Sequence, residues 1–283
     1  MKKTELLMMP SEIIFRNMYG RLYYEGQEVI PRGMKSLEIE NFNVDIPPYV
    51  RFTNFRSRNF NLDYVKKEFL WYLKGDKYDT SIAEHAKMWY SLINKDGSIN
   101  SNYGQYIFYS DSLNGTKSQF DNVFEILKRD KFSRRAVIMI LQPYHLLMET
   151  SDVCCTYSMS FRIRDNYLNM TVRMRSQDSI LGFATDAPCF SFIHEMLYMK
   201  LKEVYPELKY GIYHHSVDSF HVYERHYDLL KKIIEGDLYI PVECPKIKSA
   251  AEVEFLRRVH IGTNPPTEIP DDYEFTIWLR SYY

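Results

Sequence analysis

Four short stretches carry side chains of the kinds that hold and attack an anionic substrate. Cys154 and Cys155 stand together at the mouth of a β-like segment, and a thiol becomes a nucleophile only as thiolate, the form that cationic neighbours favour. Arg134 and Arg135 follow Ser133, and Arg175 precedes Ser176; a guanidinium binds phosphate through paired N–H groups. Asp178 and Asp186 flank Gly182, where a carboxylate can read a hydrogen-bonding ligand. Each signal also has an ordinary alternative. A buried cysteine is most often inert core, a lone arginine pair is most often solvated surface, and a short Asp-bearing loop after a strand is most often a turn.

The elements that must position these groups read as mixed α/β. Leu62, Val65, Phe69, Tyr72 and Leu73 share one stripe at helical spacing, with Lys66 and Lys67 outside it and Glu68 on its border. Ser118 caps a second helix with Phe120, Val123, Phe124 and Leu127 on one face. Arg134 to Leu141 reads as a strand, and Tyr157 to Ile163 and Leu168 to Arg175 flank the turn Arg164-Asp165-Asn166-Tyr167 as a hairpin. In its second arm Leu168, Met170, Val172 and Met174 alternate with Asn169, Thr171, Arg173 and Arg175, so one face is apolar and the other polar. Helical spacing returns from Phe190 to Val204, Tyr210 to His221 is a candidate strand, and Tyr223 to Glu235 is a helix ended by Gly236. The tail from Pro241 carries Pro245, Pro265, Pro266 and Pro270, and reads as one short helix, Ala250 to Val259, among loops. No linker interrupts this order, which predicts a single domain over residues 1–283.

Composition narrows the ligand. The chain has 36 Lys+Arg against 37 Asp+Glu, which gives no electrostatic reason to expect a nucleic-acid polymer, whereas a small anion needs only a local arginine cluster. Four cysteines, at 154, 155, 189 and 244, include no C-x-x-C pair, so neither a zinc ribbon nor a dithiol redox motif is expected and no metal is implied. Reduced thiols fit an intracellular, cytoplasmic protein. The first apolar run is broken by Glu5 and Pro10, too early for a signal-peptide core. The longest clean apolar run, Ala136 to Leu141, is far below the roughly 18 residues of a membrane helix, so no membrane partner is expected. The 24 tyrosines are the unusual count, in a chain that is 16% aromatic.

Taken in order, Ser133-Arg134-Arg135, Cys155-Thr156, Arg173-Met174-Arg175-Ser176-Gln177-Asp178, Leu181-Gly182-Phe183 and His221-Val222-Tyr223 form a series that resembles the thymidylate synthase superfamily. Within it the likeness is nearest to the phage-type deoxycytidylate hydroxymethylases. Glu68-Phe69-Leu70-Trp71-Tyr72 and Gly97-Ser98-Ile99-Asn100-Ser101-Asn102-Tyr103-Gly104 carry it too. The resemblance implies an α/β (α+β) thymidylate synthase fold, a mixed β-sheet covered by helices with one sheet face used for homodimerisation.

It also implies roles. Cys155 adds to C6 of a pyrimidine. Arg175 and Ser176 hold the nucleotide phosphate, while Arg134 and Arg135 reach the phosphate of the partner subunit in the homodimer. Such guanidinium groups are expected to lower the thiol pKa. Ser219, His221 and Tyr223 belong to the nucleotide-binding segment, the last two at the sugar 3′-hydroxyl. Glu68 and Tyr103 position waters and assist proton transfers. The folate co-substrate, 5,10-methylenetetrahydrofolate, falls to Asp178, Trp89, Gly182 and Phe183. Asp186 takes the place of an Asn that reads uracil in synthases; a carboxylate accepts from the cytosine N4 amino group, so the implied substrate is dCMP and the implied reaction is 5-hydroxymethylation. CMP hydroxymethylation, dCMP methylation, a dUMP-using enzyme and a non-catalytic nucleotide-binding regulator are the alternatives. Several positions depart from the pattern. Thr156 stands where synthases have His, Phe183-Ala184-Thr185 replaces a Pro-Phe loop, Arg32 is displaced by one residue, and Asp218 replaces Gly. The end, Trp278 to Tyr283, does not match the apolar tail that closes over folate.

Overall fold

The computed structural model describes Glu5, Leu7 and residues 9–109, 117–147, 151–261 and 268–281. Its helices are α1 (Ser11–Glu25), α2 (Leu62–Lys74), α3 (Gln119–Arg129), α4 (Phe183–Val204), α5 (Tyr227–Ile234), α6 (Ala250–Ile261) and α7 (Glu274–Arg280). The strands are β1 (Gln27–Val29), β2 (Ser36–Ile46), β3 (Val137–Met139), β4 (Thr156–Arg164), β5 (Tyr167–Met174), β6 (Gln177–Asp178) and β7 (Lys209–Tyr223). They form one open mixed sheet in the order β1-β2-β7-β5-β4-β3, with β6 also on β7. Among the described residues the parallel pairs are those of β7, with β5 along its first half and β6 along its second.

Alternation sets the hairpin. Leu168, Met170, Val172 and Met174 on β5 and Met159, Phe161 and Ile163 on β4 all point into the core, as period-2 patterning requires. Asp165 and Asn166 join the two strands with φ of 51° and 59°, the left-handed pair that a tight hairpin turn demands and Asn and Asp tolerate. The N-terminal third carries α1, β1 and β2, none of them expected from the pattern. In α1 the buried residues Ile14, Phe15, Met18, Tyr19 and Leu22 nonetheless make a helical stripe.

Three boundaries move for physical reasons. The helix expected from Phe190 starts at Phe183 and runs through Pro188 in its second turn; proline fits helical φ there but leaves the Ala184 carbonyl without its helical N–H partner. The strand expected over Arg134 to Leu141 keeps only Val137–Met139 in regular pairing. The tail holds two helices rather than one, since α7 follows α6 and packs back on the core through Phe275 and Leu279. Pro265, Pro266, Tyr282 and Tyr283 lie outside the described residues.

The return of α7 also explains Lys66, expected on the solvent side and found buried. Its ammonium donates to Ser281 Oγ at 2.9 Å and lies 4.6 Å from the centre of the Trp278 ring, a cation on an aromatic face. Trp278 packs against Phe52, Phe192 and Phe275, and so backs the framework behind α2. Helix α2 is capped by Asn61, which accepts from the Tyr64 N–H at 3.0 Å, and ends at Gly75 in the left-handed conformation. Helix α4 lies against α2, α6 and the sheet with most of its residues buried.

The loop bearing Tyr103 touches α2 at Gly104, where an added Cβ would stand 1.6 Å from the Tyr72 carbonyl oxygen. Gly104→Ala is therefore expected to lower stability by about 3 kcal/mol, the upper end of overpacking costs. Urea denaturation of the two proteins checks this.

Candidate active site

The expected residues come from four places that meet at one end of the sheet. Arg175 follows β5, and its backbone N–H donates to the Cys155 carbonyl at 2.8 Å. Its guanidinium is fastened to the same loop, Nε to the Cys154 carbonyl at 3.0 Å and Nη2 to the Val153 carbonyl at 2.7 Å. Nη2 also lies 3.5 Å from Cys155 Sγ. A fixed cation thus sits beside one thiol of the pair. Cys154 points the other way, fully buried, with its thiol on the Asn100 carbonyl at 3.3 Å. The loop itself is anchored by Asp152, which accepts from the N–H and hydroxyl of Ser101.

The arginine does not lower the thiol pKa overall. Burial pushes Cys155 up, Arg175 and Arg32 pull it down, and Asp186 and Asp152 push it up again. The guanidinium charges act in the expected direction, and in the ligand-free protein burial, with the two carboxylates, outweighs them. Arg32 enters the site despite its one-residue displacement, held at φ 52° in a short turn. Its charge also acts on Tyr223, whose phenol burial pushes up, with Asp178 adding to the rise and Arg32 opposing it.

Asp186 is in the first turn of α4 and Glu68 is in the middle of α2, so the packing of these helices brings two carboxylates together inside the protein. Gln177 Nε2 donates to Asp186 Oδ2 at 2.9 Å, and the Tyr72 hydroxyl donates to Glu68 Oε1 at 2.9 Å. Burial raises the pKa of both carboxyls, and the neighbouring Asp186 raises Glu68 further. Tyr103 is buried between the rings of Tyr72 and Phe190, and burial, then Cys155 and Asp186, lift its phenol well above the ordinary range. Tyr72, Gln177 and Tyr64, which accepts from Trp89 Nε1 at 2.8 Å, were not singled out beforehand. By spacing Tyr72 belongs to the apolar stripe of α2, and Gln177 stands between the motif residues Ser176 and Asp178.

The other expected residues divide. His221 packs edge-on to Tyr223 with ring centres 5.1 Å apart, and Ser176 is half-buried next to Arg175. Ser219 Oγ is engaged by Glu38 on β2. Asp178 Oδ1 accepts from the N–H groups of Ile180 and Leu181 at 2.7 and 3.0 Å, so one of its oxygens closes a turn. Gly182 precedes α4 where a Cβ would meet Gln177 Nε2 at 2.6 Å. Trp89 is buried against Trp71. Phe183 lies wholly in the core against Phe15, His215 and Phe220 and offers no ring face to a ligand. Arg134 and Arg135 are exposed ahead of β3.

A thiol beside a fixed arginine, a carboxyl pair between two helices and a histidine–tyrosine pair at the strand end stand in the order expected of one family. The thymidylate synthase model matches residues 21–261. The chain belongs to the thymidylate synthase family. It is a one-carbon transferase, and its relatives span the chemistry of that family. It is 30% identical over 207 residues to the deoxycytidylate 5-hydroxymethyltransferase of Enterobacteria phage T6, covering 70% of this chain and 80% of the phage protein. It is 27% identical over 220 residues to the deoxyuridylate hydroxymethyltransferase of Bacillus phage SP01, covering 74% and 56%. It is 29% identical over 210 residues to the thymidylate synthase of Bacillus mojavensis, covering 74% and 66%.

The four thiols differ in environment, and this can be read chemically. Iodoacetamide, which reacts with thiolate, is expected to label Cys155 before Cys154, Cys189 or Cys244, with a rate that climbs as pH rises toward the elevated Cys155 midpoint. Arg175→Gln is expected to slow that labelling up to about tenfold, one pKa unit. Peptide mass analysis follows each site, and equal labelling of Cys155 and Cys244 would contradict the expectation.

Proposed function

We propose that this one-carbon transferase acts on dCMP, transferring the one-carbon unit of 5,10-methylenetetrahydrofolate to C5 with addition of water to give 5-hydroxymethyl-dCMP. The observation that carries the reading is the Asp186 carboxyl, half-buried in the first turn of α4 and hydrogen-bonded by Gln177. Cytosine presents a donor at N4 and an acceptor at N3. A carboxyl group in its acid form accepts from the first and donates to the second, a pairing that the amide of synthases directs toward uracil.

In this reading the Cys155 thiolate adds to C6, beside the Arg175 guanidinium that also holds the phosphate together with Ser176 and Arg32. The phosphate arrives with two negative charges, so its binding and the guanidinium cluster act on the thiol in opposite senses. The C5 carbanion equivalent takes the one-carbon unit, C5 loses its proton, and departure of tetrahydrofolate leaves an exocyclic methylene. Water adds there, and elimination of Cys155 restores the ring. Glu68 and Tyr103 hold the waters and move the protons; a carboxyl raised toward neutral pH suits that work. His221 and Tyr223 take the sugar hydroxyl, and Asp178 takes the pterin with its second oxygen. Arg134 and Arg135, exposed and away from their own cleft, fit a homodimer in which they complete the partner's phosphate site across the open sheet face.

Tritium release from [5-3H]dCMP in the presence of methylenetetrahydrofolate tests the reading, with the product weighed by mass spectrometry. Addition of CH2O is expected; addition of CH2 means methylation, and no product means a nucleotide-binding role. Cys155→Ser is expected to abolish release while Cys154→Ser keeps most of it. Asp186→Asn is expected to cut dCMP turnover about 100-fold or more and to raise activity on dUMP, since a site that loses a base-directed hydrogen bond discriminates strongly. The likeness to the phage SP01 protein favours a second reading, in which the substrate is dUMP. Release from [5-3H]dUMP and none from dCMP would establish it.

A further inference from the structure

Glu68 is buried and Asp186 half-buried with its carboxyl on Gln177, and neither has a Lys, Arg or His within ion-pair distance among the described residues. Two carboxylates at close quarters without a cation cannot both be ionised. The groups that face them are neutral proton carriers. Tyr64 and Tyr72 come from α2, Cys189 from α4 and Tyr213 from β7, and burial keeps the phenols and the thiol protonated. Tyr103 and Cys155 close the cleft side, both also pushed up by burial. Among these Tyr72 alone serves both carboxyls: its hydroxyl donates to Glu68 Oε1 and lies close enough to Asp186 to favour the charged form there too.

We propose that Tyr72 makes Glu68 and Asp186 a one-proton pair, and that cytosine draws this proton to Asp186, with Gln177 holding the Asp186 carboxyl in register for N3. The inference rests on the cytosine reading above and adds the source of the proton. A hydroxyl has one hydrogen and two lone pairs, so it can donate to one carboxylate while accepting from the other acid. In one arrangement Glu68 holds the proton and donates to Tyr72, which donates to Asp186. In the other Asp186 holds it and donates to the base. Passing between them moves one proton from the Glu68 oxygen to the Tyr72 oxygen and the former Tyr72 hydrogen to Asp186; Glu68 becomes the carboxylate, and no net charge enters the interior. Gln177 Nε2 occupies Asp186 Oδ2, which leaves Oδ1 for the base, while Gln177 Oε1 is buried without a partner. Tyr72 and Gln177 are thus positioning residues that act through Asp186.

The experiment is calorimetric binding of dCMP to the ligand-free protein in two buffers of different ionisation heat at about pH 7, below the Glu68 carboxyl, raised to about 8, and above the second ionisation of the nucleotide phosphate. The wild type is expected to bind with no proton taken from buffer, because the proton is already inside. Glu68→Gln, an isosteric change that removes the second acid, is expected to take up one proton more than the wild type on binding dCMP. Equal uptake by the two proteins overturns the proposal while leaving the cytosine reading intact. Absence of dCMP binding alongside binding of dUMP overturns both, so the two failures are distinguishable. Tyr72→Phe, which keeps the ring against Tyr103, is expected to reduce kcat for tritium release from dCMP at least tenfold with KM within about threefold, and to move the pH profile upward. An unchanged profile and rate also overturns the proposal.

Discussion

Two acids brought together at the crossing of α2 and α4, Glu68 buried and Asp186 half-buried, set the terms for the rest of this molecule. Removing a carboxylate from water costs several kcal/mol unless hydrogen bonds replace the lost hydration. The surroundings of Glu68 and Asp186 supply those bonds from neutral groups, Tyr72 and Gln177, and so keep the pair sensitive to whatever enters the cleft. A salt bridge there would have fixed the charge. The contrast is visible nearby on α4, where Glu195 is paired with the buried Arg51, held also by Ser191 at 3.0 Å. That pair is closed and structural; the Glu68–Asp186 pair is open to chemistry.

Holding two helices at that crossing needs support from behind. Helix α4 is wrapped by the sheet, α2 and α6, and α7 packs on α2 with its Trp278 ring against the Lys66 ammonium. The loop of Tyr103 comes so close to the end of α2 that only glycine fits at 104. The cleft is thus built on rigid elements, with Cys155, the proposed nucleophile, on a loop that Arg175 and Asp152 both tie down.

Much of this was legible in the residues themselves. The hairpin of β4 and β5, the stripe of α2 and the Ser118 cap follow directly from side-chain period and turn chemistry, and the site residues follow from motif order. What stayed hidden shares one physical cause: it depends on what long-range packing places opposite a side chain. Lys66 belongs by spacing to a wet face, and only the returning tail buries it. Tyr72 belongs by spacing to the apolar stripe, and only the arrival of Asp186 on another helix gives its hydroxyl a role. Phe183 stands in a motif yet points to the core, because α4 begins earlier than its proline suggests. The sign of the Cys155 shift likewise required knowing that burial, rather than the nearest charge, is the largest influence.

The fastening of Arg175 has a consequence for the entropy of anion capture. A free arginine side chain carries about 2 kcal/mol of rotamer freedom that is lost when it closes on an anion. Here two backbone carbonyls already hold the guanidinium in place, so that loss is taken when the chain folds, and the phosphate proposed to bind there would meet a cation with little left to order. Its remaining N–H groups can be given up to the ligand at once, and the same rigidity keeps the charge at a constant distance from the thiol before, during and after the anion is bound.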